Sequence, residues 1–107
     1  MKLVMAIMGK DDSSVVMDAL TEEKFQVTRM ASTGGFLKSG NTTLIIGVDD
    51  SKTDKVIDII SKYSSKRKQL VSGASSFITE AMHAKPFEVT TGGAIIFVLD
   101  VDRFEKV

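Results

Sequence analysis

"TTLIIGVDDS", residues 42–51, echoes "LVMAIMGKDDS", residues 3–13: each apolar run ends at a pair of aspartates and a serine. Leu3 to Met8 is apolar throughout, as expected of a strand covered on both faces, and Thr42 to Val48 is a strand rich in β-branched residues. The Asp-Asp-Ser that follows carries side-chain oxygens able to accept from the free amides of a helix start. Helical spacing then appears after both, with Val15, Val16, Ala19 and Leu20 in the first case and Val56, Ile59, Ile60 and Tyr63 in the second. Ser51 and Asp54 also have the spacing of a capping box. Working outward, "FQVTRMA" (25–31) alternates, Phe25, Val27 and Arg29 against Gln26, Thr28 and Met30, and "AIIFVLDV" (94–101) is a closing strand. Two strand–helix–strand halves predict an α+β, ferredoxin-like βαββαβ domain with two helices on one face of an antiparallel sheet.

The other face of such a sheet would present Val, Ile, Leu, Met and Phe to water. That predicts self-association through the sheet. Residues 72–86 fit no period and contain Pro86, the chain's one proline, so they are expected to form a functional or flexible loop. Short strands are expected beside them at 69–71 and 87–89.

Composition narrows the function. The 107 residues suffice for one domain with a modest core. Lys+Arg and Asp+Glu balance at 14 each, so no net field attracts nucleic acid. Without cysteine there is no disulfide framework and no thiolate metal site. The first apolar run is too short for a signal peptide and none reaches membrane-spanning length, which leads us to expect a cytoplasmic protein.

Catalytic constellations are absent from the pattern. His83 is the single histidine and has no evident partner, so an exposed loop residue is expected. Asp49, Ser51 and Thr53 imitate the start of a calcium loop, but Asp54 stands at the glycine position and Ile60 at the final glutamate position. Lys62, Lys66, Arg67 and Lys68 suit a helix C-terminus, and the six methionines suit a core. No metal is expected.

"ASTGGFLKSGNTT" (31–43) is different. It holds three glycines around a Phe-Leu pair, and "TTGG" (90–93) repeats its hydroxyl–hydroxyl–Gly-Gly element. Glycines let successive amides converge on an anion, and neighbouring hydroxyls add donors. Phe36 is placed to stack on a base, and the Asn41 amide can both donate to and accept from an adenine edge. With no catalytic group beside them, these residues describe a nucleotide-binding site.

These stretches, with "MKLVMAIM" at the start and "GGAIIFVLDVDRF" near the end, resemble the PII-like cyclic di-AMP receptor proteins of Gram-positive bacteria along nearly the whole chain. The resemblance implies a single PII-like domain over 1–107 and a non-enzymatic homotrimer with inward-facing sheets. It implies cyclic di-AMP pockets between subunits, and loops at 33–40 and 72–86 that change for a downstream protein. It further implies that Thr28, Gly35, Phe36, Leu37 and Asn41 hold one adenine and that Gly47 allows close approach. Gly92 and Gly93 would face the phosphates, with Phe97 near the second base. Lys24-Phe25-Gln26 stands where such receptors usually carry Asn-Phe-Arg, so Gln26 replaces a ligand-contacting arginine with an uncharged amide. Lys106 stands in place of a glutamine. These departures keep two alternatives open: a sensor of ATP or ADP, and a scaffold trimer with a degenerate pocket.

Overall fold

The computed structural model describes residues 1–32, 41–71 and 87–107, and among these residues six strands, two helices and a 3-10 turn follow one another. At 32, 69–71 and 87–89 the backbone alone is described. The order is β1 (Lys2–Gly9), α1 (Lys10–Glu22), β2 (Val27–Ser32), β3 (Asn41–Val48), a single 3-10 turn (Asp50–Lys52), α2 (Thr53–Ser64), β4 (Arg67–Val71), β5 (Phe87–Thr91) and β6 (Ala94–Asp100). The main sheet runs β2-β3-β1-β6, antiparallel throughout, which is the ferredoxin-like order of a PII-like domain. The expected short strands at 69–71 and 87–89 lie within β4 and β5, a separate two-stranded hairpin. The expected loops at 33–40 and 72–86, which include Gly35, Phe36, Leu37 and His83, lie outside the described residues.

Alternation sorts the sheet into two faces. Val4, Ala6 and Met8 of β1 and Leu44, Ile46 and Val48 of β3 join Val16 and Leu20 of α1 and Val56 and Ile60 of α2 in one core cluster. Both helices therefore cover the same face. The opposite face carries Leu3, Met5 and Ile7, with Thr43, Ile45 and Gly47 on β3, Thr28 and Met30 on β2, and Ile95, Phe97 and Leu99 on β6. Among the described residues no helix lies on it.

Helix starts differ from their expected form. Lys10 opens α1 after Gly9, and no side chain caps it. Asp12 is instead buried and receives Arg67 from β4, Nη2 at 2.8 Å and Nη1 at 3.5 Å. Ser13 Oγ donates to the Lys10 carbonyl at 2.6 Å. The capping box at Ser51 and Asp54 is also not formed: Ser51 sits in the 3-10 turn, α2 lacks a side-chain cap, and Thr53 Oγ1 donates back to the Asp49 carbonyl at 3.2 Å. Two residues of the expected apolar stripes face water, Val15 and Tyr63, while Ser13 and Ser64 take buried places. A buried serine can satisfy its hydroxyl on the preceding turn, as Ser64 does on the Ile60 carbonyl at 2.5 Å, and hydrophobic periodicity does not register it.

Lys24 closes α1 in the left-handed region, φ 67°. The amides of Lys24 and Phe25 donate to Thr21 and Leu20 at 2.9 and 3.0 Å, tying off the last free carbonyls of the helix. This turn aims the chain into β2 and thereby places Gln26 and Thr28.

Candidate functional site

The antiparallel registers put Thr28, Asn41, Gly47 and Phe97 on one face, the face without helices. Thr28 stands opposite Ile45, Ile45 opposite Met5, and Met5 opposite Phe97, so a single cross-strand row joins Thr28 at one sheet edge to Phe97 at the other. Three strand spacings separate the two ends, about 14 Å.

A concavity of about 270 Å³ occupies the Thr28 end. Leu3 and Ile45 form its apolar floor, Gln26 and Thr28 supply an amide and a hydroxyl, Gly47 leaves backbone open, and Phe104 of the C-terminal tail stands at its rim. Among the residues lining it, no side chain titrates. A second concavity of about 500 Å³ adjoins it through Gln26 and Gly47 and continues around the strand ends past Lys24, Asp49 and Lys52. Lys55 on its wall pairs with Glu23 at 3.0 Å.

Gly47 shows why this end of the sheet suits a ligand. A Cβ built there would meet only the flexible end of Met1 at 3.4 Å. The chain's own packing thus leaves room for a side chain, and the bare backbone gives a flat ligand close approach to β3.

Gly92 and Gly93 have a different basis. Both have positive φ, 82° and 95°. A Cβ on Gly92 would lie 2.5 Å from Arg67 Nη1 and 2.6 Å from the Ser65 carbonyl oxygen. The Gly93 amide donates to the Ser64 carbonyl at the end of α2. The turn from β5 into β6 therefore demands both glycines for the fold, and the Gly93 amide is committed within the chain.

Asn41 lies at the far end of β3 from Gly47, six residues or about 20 Å away, opposite Gly9 of β1. Met8 of that strand pairs with Ala94, which puts the Gly92–Gly93 turn at the same sheet end as Asn41. Gln26, Thr28 and Gly47 are thus brought together. Asn41 and the glycine pair lie apart from them, and Phe97 stands at the opposite sheet edge.

Two relationships escaped the sequence reading. Phe104 was hidden in a short charged tail, "DRFEKV", where its isolation among polar residues was the available sign. The Arg67–Asp12 pair joins residues 55 apart in sequence, which no local pattern reveals.

Among the described residues no group of three or more His, Asp or Glu is arranged to hold a metal, and no helix is long and apolar enough to cross a membrane. An apolar floor with polar groups at its edge is the chemistry of a small-molecule binding site on a ferredoxin-like sheet. The chain belongs to the cyclic-di-AMP receptor family, whose model matches residues 1–107. It is also similar to a crystal structure of a functionally unknown protein from Pediococcus pentosaceus, with 35% identity and a TM-score of 0.81 over 99% of this chain and 96% of that one.

Proposed function

We propose that this protein is a non-enzymatic receptor that binds cyclic di-AMP in pockets between the subunits of a homotrimer, in the cytoplasm. The observation that carries the reading is the helix-free face. It holds Thr28, Asn41, Gly47 and Phe97 together with a broad apolar surface in which Met30, Phe97 and Leu99 are all more than one-third exposed. A second copy seated on that face would remove the apolar surface from water. It would also bring another subunit's residues to the ends of a row too long for one base to bridge. Gln26, Thr28 and Gly47 of one subunit would receive one adenine, and Gly35, Phe36, Leu37 and Asn41 would reach the ligand from another. The Gly92 backbone and Phe97 would serve the phosphates and the second base from a neighbouring copy. The loops at 33–40 and 72–86 would then differ between free and bound states, and a downstream protein would respond to that difference.

Light scattering and calorimetry with cyclic di-AMP test the assembly and the ligand together. A trimer binding one ligand per subunit is expected. A monomer that binds cyclic di-AMP with full affinity would contradict the inter-subunit pocket.

Gln26 favours a second reading, a sensor of ATP or ADP. An uncharged amide lines the concavity, while Lys24 and Lys52 offer charge in the adjoining one. Competition between ATP and cyclic di-AMP separates the two.

A further inference from the structure

We infer that Phe104 is a ligand-closing residue, whose ring covers a purine base laid across Gly47; the inference rests on the proposed receptor function. Phe104 is 62% exposed, a large aromatic left in water at the rim of the 270 Å³ concavity. Neighbouring bonds hold the tail that carries it. The Val101 amide donates to the Met1 carbonyl at 3.2 Å, continuing the β1–β6 pairing beyond the sheet. Arg103 and Glu105, on either side of Phe104, pair with each other at 2.6 Å. Phe104 thus lies beside Gln26, Thr28 and Gly47, on a tail joined to β1 through the Val101 amide.

The concavity's chemistry matches one flat ring with a polar rim. Its volume is at the small end for ligand sites and suits a single base better than a whole dinucleotide. Leu3 and Ile45 offer an apolar floor, and the missing side chain at Gly47 lets a ring lie against the strand. Gln26 can donate and accept at a purine edge, and Thr28 can do the same through one hydroxyl. Such a base would still expose its upper π-face, which an aromatic ring covers favourably. Phe104 is the aromatic among the lining residues. On this inference the tail contributes to the discrimination of purine from pyrimidine ligands, since the smaller ring offers less area to stack.

The test is calorimetry of cyclic di-AMP with the full chain and with the Phe104→Ala, Phe104→Leu and Phe104→Trp variants, each checked by light scattering for oligomeric state. The expected result is about tenfold or greater weakening for Phe104→Ala, most of that loss persisting in Phe104→Leu, and recovery in Phe104→Trp. Oligomeric state should be unchanged throughout. Unaltered affinity in Phe104→Ala, while the parent chain binds, would overturn the inference and leave the receptor function standing. Loss of affinity together with loss of the oligomer would also overturn it, because the ring would then belong to a subunit contact. Absence of binding by the parent chain would remove the receptor function and this inference with it.

Discussion

Arg67 grips the buried Asp12 carboxylate with both terminal nitrogens, joining the base of the β4–β5 hairpin to the first turn of α1. The guanidinium is half exposed while the carboxylate is almost fully covered. The pair raises the Arg67 pKa above its ordinary value, chiefly through the hydrogen bond to Asp12, so Arg67 stays charged at every accessible pH. Removing the arginine leaves a covered carboxylate with its charge unmatched, which is costlier than losing an exposed pair. Arg67→Ala should lower the midpoint of urea unfolding, because Asp12 is left covered without its partner.

The same arginine sits against Gly92, and the chain's glycines are predicted to separate by role. Gly92→Ala forces a Cβ into Arg67 and the Ser65 carbonyl at positive φ, so a loss of about 1–3 kcal/mol is expected. Gly47→Ala meets only the flexible Met1 side chain and should change stability by less than about 0.5 kcal/mol. Its effect should appear in cyclic di-AMP affinity, measured by calorimetry, because the new methyl occupies the floor on which the base is proposed to lie.

Lys24 occupies a position whose left-handed backbone favours glycine or asparagine. Lys24→Gly and Lys24→Asn should each raise stability, by roughly 0.5–1 kcal/mol for the glycine variant, the relief of left-handed strain less the entropy glycine loses. Thermal unfolding compares them directly. Lys24 also stands on the wall of the larger concavity.

The amino terminus holds Asp50 at 2.7 Å and lowers its pKa, mainly by hydrogen bonding to the carboxylate. A folded-state pKa below the unfolded one adds stability that is fully present above the unfolded value and is lost as pH falls through the folded value. The contribution should be present at neutral pH and disappear on acidification below the ordinary carboxylate value of 3.8. Asp50→Asn should abolish that part of the acid dependence, as read from melting temperature against pH.

Much of the architecture was legible because it rests on patterns a sequence displays directly. The repeat of apolar run, aspartates and helical spacing around Gly9 and Gly47 pointed to the ferredoxin-like arrangement, and alternation in 25–31 separated Thr28 from Phe25 and Val27. Helix capping was misread because Asp12 and Ser51 had competing uses: one met an arginine 55 residues away, the other entered a 3-10 turn. Of the candidate site, Gln26, Thr28 and Gly47 converge through strand register, whereas the distances to Asn41 and Phe97 follow from strand order, which residue types alone do not state. Gly92 and Gly93 looked like phosphate donors in sequence, and their first obligation proves to be the turn against Arg67 and Ser64.

The most direct measurement is calorimetric titration of the protein with cyclic di-AMP, with ATP and cyclic di-GMP in parallel. Saturable binding of cyclic di-AMP is predicted, preferred over both others and weakened by about 1–3 kcal/mol in Asn41→Ala or Phe36→Ala. A chain that takes up no cyclic di-AMP at high micromolar concentration, or prefers ATP to it, would contradict the account.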